Sequence, residues 1–107
     1  MCGIVGLLSL RDSNPVCISL LKKMRDVMSH RGPDGFGIWL SNDKKVGLGH
    51  RRLSIIDLST SAKQPMCNED GSIHVTFNGE IYNHREIRNE LISIGGHNWK
   101  TSHSDTE

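Results

Sequence analysis

Cys2 carries the most chemistry in this sequence, because only Met1 stands before it. Methionine ahead of a small side chain is commonly trimmed, and its loss leaves Cys2 with a free α-amine beside its thiol. A thiol titrates at roughly 8.5 and an α-amine at roughly 7.7–8.0, so both lie near neutral pH. The amine can take the thiol proton and later return it to a leaving group, as in nucleophiles activated by their own terminal amine. The competing reading is a cysteine that merely begins a buried strand. Further along, Arg51-Arg52 meets the apolar Leu53-Ser54-Ile55-Ile56. A charge entering such a run is either a surface cation at a strand edge or an inward one awaiting a carboxylate. Asn78-Gly79-Glu80 is a third candidate: Asn-Gly reads as a type I′ hairpin turn, yet a helix pattern follows it instead of a partner strand.

These residues need a scaffold, and the hydrophobic pattern describes one. Ile4-Val5-Gly6-Leu7-Leu8 has no polar alternation and reads as a central strand buried on both faces. Gly3 and Gly6 leave little bulk around Cys2. After a turn at residues 11–15, Ser13 or Asn14 can cap a helix that starts at Pro15 and runs to about Ser29. Its apolar sets are Leu20, Met24, Val27 and Leu21, Met24, Met28, with Lys22, Lys23, Arg25 and Asp26 on the other side. Cys17 and the methionines read as core filler. His30-Arg31-Gly32-Pro33-Asp34-Gly35 reads as a cap and turn, with Gly32 free to take the left-handed conformation.

Residues 36–40 and 46–50 form the strands of a hairpin around the turn at 41–45. Val46, Leu48 and His50 share one face, and Gly47 and Gly49 open the other to close packing. Residues 57–71 read as a loop in which Cys67 has no assigned role. Residues 73–77 alternate as a strand. Asn83 and Glu86 pair as cap and third helical residue of a helix stopped by Gly95-Gly96, with Ile87, Leu91 and Ile94 on one face. Ser104-Asp105-Thr106-Glu107 looks like another helix start, so the chain is expected to be the N-terminal part of something longer.

The bulk properties exclude several classes. The 107 residues allow one domain, and 36% hydrophobic with 23% charged residues is an ordinary globular composition. With 13 Lys+Arg against 12 Asp+Glu, net charge is +1, which argues against nucleic-acid or anionic-membrane partners. The apolar run from Ile4 to Leu10 is too short to span a bilayer and lacks the features of a signal peptide. Three cysteines without CxxC spacing read as reduced thiols of a cytoplasmic protein. The six histidines show no metal-ligand spacing, so no metal is expected.

Five stretches in order carry a family resemblance: Met1-Cys2-Gly3-Ile4-Val5-Gly6, His30-Arg31-Gly32-Pro33-Asp34, His50-Arg51-Arg52-Leu53-Ser54-Ile55-Ile56-Asp57, Phe77-Asn78-Gly79-Glu80-Ile81-Tyr82-Asn83-His84 and Ser104-Asp105-Thr106-Glu107. Together they make the chain resemble the glutaminase domain of glutamine-hydrolysing asparagine synthetases. These are class II glutamine amidotransferases with the N-terminal-nucleophile hydrolase fold, an α+β αββα sandwich of mainly antiparallel sheets. The resemblance implies that Cys2, freed of Met1, attacks the side-chain amide of L-glutamine with its own α-amine as base. It implies an oxyanion hole from the Asn78 side chain and the Gly79 N–H. Arg52 would hold the substrate carboxylate, Leu53, Ser54, Ile55 and Ile56 would line the pocket, and Glu80 and Asp105 would hold the ammonium. Arg31 and Asp34 look structural, supporting the surroundings of the nucleophile.

The family's glutaminase domain continues past Glu107, so residues 1–107 would be its truncated N-terminal part. The resemblance then implies a C-terminal synthetase domain, outside this chain, that uses ATP and magnesium to amidate aspartate with the released ammonia. No cofactor is implied for the glutaminase part, and a homodimer is left open. Two other readings are an amidotransferase acting on another carboxylate, such as a sugar acid or a secondary metabolite, and a non-catalytic fragment.

Overall fold

The computed structural model describes residues 1–10, 14–54, 63–102 and 104–107. Its elements are β1 (Gly3–Leu8), α1 (Ile18–Val27) with a 3₁₀ turn at Met28–His30, β2 (Gly35–Leu40), β3 (Val46–Arg52), β4 (Met66–Cys67), β5 (His74–Val75) and α2 (His84–Ile94). The chain is mixed α+β, and the strand pairs among the described residues are antiparallel. β1, β3 and β2 form a three-stranded sheet in that order, and β4 and β5 form a two-stranded ribbon.

The hairpin expected around residues 41–45 is present and sets the sheet. The Ser41 hydroxyl accepts from the Lys45 and Val46 amides at 3.1 and 2.9 Å and donates to the Asp43 carboxylate at 2.6 Å. Lys44 takes a positive φ of 57° to close the turn. β3 thereby becomes the central strand. β1 is at the edge instead of the centre, with Ile4 45% and Leu8 65% exposed. An all-apolar run reads as doubly buried, but here only the face of Val5 and Leu7 turns toward α1.

α1 lies on the glycine face of β3. A Cβ at Gly47 would come 2.7 Å from Leu21 and 3.0 Å from Val16, and one at Gly49 would come 2.8 Å from Val5. The helix is shorter than expected, and Cys17 stands at its N-cap with no side-chain capping bond. Its rotation also differs. Leu21 and Arg25 are buried, whereas Leu20, Met24 and Val27 are exposed. Arg25 tolerates burial because its guanidinium bonds Asp26 at 2.8 Å and lies 4.4 Å from the centre of the Phe36 ring. Asp26 also binds Arg51 of β3 at 2.6 Å, and these two arginines, Arg25 first, hold its carboxyl below the usual range. Cys17 is exposed, so it is not core filler; hydrogen bonds from Ser19 and nearby helical amides lower its thiol pKa.

The opposite sheet face receives the β4–β5 ribbon. Trp39 stacks on His74 with ring centres 4.0 Å apart. Gly37 admits the Gln64 backbone so closely that a Cβ there would come 1.8 Å from its carbonyl oxygen. The expected strand at 73–77 shrinks to His74–Val75, and it pairs with Met66–Cys67 inside the stretch expected to be a loop. α2 ends where Gly95 and Gly96 take φ of 82° and 86°, as expected, but Asn83 makes no side-chain cap bond. The capping-box pair is therefore not formed; the His84 ring bonds the Ile81 carbonyl at 3.0 Å instead. No residue of α2 is buried. Residues 104–107 form no helical turn, although Ser104 accepts from the Thr106 amide at 3.3 Å as an N-cap does.

Candidate functional site

The register of β1 on β3 decides where Cys2 goes. Gly3 pairs with Arg51, so Cys2 lies one step beyond, level with Arg52 and on the sheet face away from α1. The Leu53 amide donates to the Cys2 sulfur at 3.3 Å, and the thiol approaches the Leu53 carbonyl at 3.8 Å. Met1 is 75% exposed, so its removal leaves the sheet contacts intact.

Asp34 fixes the segment that meets the sulfur. Its amide donates to the Arg52 carbonyl at 3.0 Å, and its carboxylate accepts from the Ser54 amide at 2.8 Å. This sharp return from the 3₁₀ turn to β2 depends on Gly32. Gly32 does not take the left-handed conformation expected of a cap glycine. It is needed for proximity: a Cβ there would come 2.4 Å from the Arg51 carbonyl carbon. Arg52 lies on the wall of a cavity of about 270 Å³ with Asp34, Gly35, Phe36, His50, Lys63 and Gln64. Leu53 and Ser54 are half-buried beside it. Ile55 and Ile56, expected to line the same pocket, lie outside the described residues.

A second cluster forms around residues 76–81 and 105. Asn78, Gly79 and Glu80 are exposed. Neither Asn78 nor Gly79 has a positive φ, which removes the type I′ turn, since that turn requires both. The segment instead passes from β5 toward α2 with the Phe77 ring over Gly79, where a Cβ would come 2.6 Å from the ring. The Asp105 carboxylate accepts from the Ile81 amide at 2.9 Å, which places it against the peptide joining Glu80 to Ile81. The Asp105 carboxylate thus meets the backbone next to Glu80, from 24 residues beyond Ile81 in sequence.

Among the described residues no hydrogen bond joins Cys2 directly to this second cluster. Two side chains with no role assigned from the sequence tie the clusters to one frame. His50 of β3 is 1% exposed and bonds the Thr76 hydroxyl at 3.0 Å. Burial first, and the Arg52 charge second, lower its pKa from 6.5 to about 4, so it is neutral at pH 7. Gln64 accepts from the Phe77 amide at 2.6 Å and donates to the Thr106 hydroxyl at 3.1 Å. Gln64 gave no signal in the sequence, since it sits in a polar stretch without periodicity. No three His, Cys, Asp or Glu side chains converge as a metal site among the described residues. No helix there is long and apolar enough to cross a membrane.

The chain is similar to a probable asparagine synthetase (glutamine-hydrolysing) of Dictyostelium discoideum, 45% identical over 111 residues and covering the whole of this chain. It is similar at 45% over 109 residues to asparagine synthetase (glutamine-hydrolysing) 2 of Bacillus subtilis, again along its whole length. It is 40% identical over 100 residues, or 85% of its length, to amidase chry2 of Gibberella zeae. The match spans only 18%, 14% and 15% of those three proteins. The glutamine amidotransferase domain matches residues 1–107. A near-terminal cysteine at the start of an antiparallel strand, level with an arginine of the next strand, thus comes with a domain match from end to end, and the chain belongs to the glutamine amidotransferase domain family.

Proposed function

We propose that residues 1–107 are the N-terminal part of a glutaminase domain that hydrolyses L-glutamine to L-glutamate and ammonia. The observation that carries this reading is the Leu53 amide aimed at the Cys2 sulfur, one residue from Arg52. With Met1 removed, the Cys2 amine takes the thiol proton and the sulfur attacks the side-chain amide carbon. The tetrahedral oxyanion is held by the Asn78 side chain and the Gly79 N–H. The ammonium returns its proton to the departing nitrogen, ammonia leaves, and a γ-glutamyl thioester remains. Water adds to the thioester and releases glutamate, restoring the thiol. Arg52 holds the substrate carboxylate, for which a guanidinium fork is suited. Glu80 and Asp105 hold its ammonium. Leu53, Ser54, Ile55 and Ile56 line the pocket.

The α1–sheet–ribbon layering fits the first three layers of an N-terminal-nucleophile hydrolase sandwich. The relatives named asparagine synthetase support a C-terminal synthetase domain as the partner that takes the ammonia, using ATP and magnesium to amidate aspartate. A second reading keeps the glutaminase chemistry and gives the ammonia to another carboxylate; a relative named an amidase instead of an asparagine synthetase leaves room for it. Three free cysteines among the described residues fit a reducing, cytoplasmic setting. In the full-length protein, Cys2→Ala should abolish glutamine-dependent activity and spare ammonia-dependent activity, while Cys17→Ala and Cys67→Ser keep both. Loss of both activities in a folded Cys2→Ala protein would place the nucleophile elsewhere.

A further inference from the structure

We infer that Gln64 is a positioning residue that holds the oxyanion arm and the ammonium-binding carboxylate in one register, an inference that rests on the roles proposed for Asn78, Gly79 and Asp105. Its side-chain amide is used at both ends. The carbonyl oxygen accepts the Phe77 N–H at 2.6 Å, and the nitrogen donates to the Thr106 hydroxyl at 3.1 Å. Phe77 is the residue before Asn78, and its ring covers Gly79. Thr106 is the residue after Asp105. Gln64 therefore touches the immediate neighbour of each functional group and neither group itself.

The anchor is rigid at its root. The Gln64 carbonyl rests against Gly37 of β2, where even a methyl group would collide. Two residues later the chain enters β4, whose Met66 pairs with Val75 of β5. The side chain thus measures from a fixed point on the main sheet to two segments that are 29 residues apart between Phe77 and Thr106. It also lines the cavity that holds Arg52. A few tenths of an ångström of drift at Phe77 moves both oxyanion donors, and drift at Thr106 moves Asp105. Misplacement of about 1 Å by a residue remote from the chemistry costs on the order of 100-fold in rate.

The two ends should separate kinetically. In the full-length protein, Gln64→Ala cuts both ties, so kcat for glutamine hydrolysis should fall by about 10- to 100-fold and KM should rise. Thr106→Val cuts only the tie on the Asp105 side, so KM should rise several-fold, on the order expected for a ground-state contact, with kcat within about two-fold of the parent. Gln64→Glu keeps the acceptor for Phe77 and can receive the Thr106 hydroxyl proton, so it should restore most of the kcat lost in Gln64→Ala. Ammonia-dependent activity, unchanged in all three, reports an intact synthetase domain, and a retained cooperative melting transition of the glutaminase part reports that it is folded. If Gln64→Ala lowers the melting temperature yet leaves kcat and KM unchanged, Gln64 is only a packing residue and the inference falls. It falls equally if Thr106→Val lowers kcat as much as Gln64→Ala does, or if Gln64→Glu restores nothing. Should Gln64→Ala fail to fold, the Thr106→Val split alone decides. Glutamine hydrolysis surviving in Cys2→Ala would instead sink the underlying reading, whatever Gln64 does.

Discussion

The Leu53 amide reaches the Cys2 sulfur at 3.3 Å because Asp34 grips the chain on both sides of it. Asp34 donates its own N–H to the Arg52 carbonyl and accepts the Ser54 N–H on its carboxylate. Arg52 at the end of β3 and the two residues after it are thus held to the turn before β2, which keeps the amide at the sulfur. The same clamp fixes the backbone at Arg52, the last residue of the central strand.

Asp34→Ala removes one of the two ties, the carboxylate acceptor, and frees the Ser54 amide. Its kcat for glutamine hydrolysis should drop by about ten-fold or more, since the nucleophile loses orientation. Asp34→Asn keeps an acceptor oxygen and should lie much closer to the parent. The check is the rate at which Cys2 reacts with a glutamine-mimicking electrophile. Equal rates in Asp34→Ala and the parent would mean that the Leu53 amide holds its place without Asp34.

What could be read in advance was whatever depends on local pattern. The Ser41–Lys45 turn, the glycine face of β3 and the stop at Gly95 follow from residue types at fixed spacing. The strand-to-helix passage at Asn78 was legible because the helix pattern after it contradicted a hairpin. The rotation of α1 was not. Periodicity nominates apolar stripes, and it cannot foresee a buried arginine satisfied by Asp26 and Phe36. Gly32 looked like a cap because its neighbours end a helix, whereas its actual constraint is the β3 backbone arriving from 19 residues away at Arg51. Gln64 illustrates the remaining gap: both of its partners are long-range, and a lone glutamine in a polar stretch has no local signature.

His50 gives a pH-dependent prediction with a definite sign. Its pKa is about 4 in the folded chain against 6.5 ordinarily, so between those values the unfolded chain binds a proton that the folded one refuses. Stability from this group is therefore fully present above pH 6.5 and is lost as pH falls toward 4, by about 3 kcal/mol in all. Between pH 7 and pH 5 the loss should be about 2 kcal/mol. Urea unfolding of the parent and of His50→Gln at both pH values isolates the effect. The variant should lose less stability on acidification by about that amount. An identical loss in both proteins would mean that the ring escapes its Thr76 contact and titrates freely.

Arg52 and Asn78 should fail in different ways, and the difference reports what each one meets. The carboxylate proposed for Arg52 is charged in the bound substrate and in the transition state alike. Removing uniform binding raises KM and leaves kcat alone, so Arg52→Ala should chiefly raise KM. Arg52→Lys should recover little, because a point charge cannot reproduce a two-pronged contact. The charge proposed for Asn78 appears only when the amide carbonyl becomes tetrahedral. Loss of one such donor typically costs on the order of 100- to 1,000-fold in kcat, roughly 3–4 kcal/mol. Asn78→Ala should therefore lower kcat with KM little changed, while Cys2 still reacts with a glutamine-mimicking electrophile. Steady-state kinetics of both variants in the full-length protein decides the matter. A kcat within a few-fold of the parent in Asn78→Ala would reduce the Asn-Gly arm to a connection between β5 and α2. An Arg52→Ala protein with neither constant changed would make Arg52 a surface cation at the end of β3 and move the substrate away from the cavity it lines.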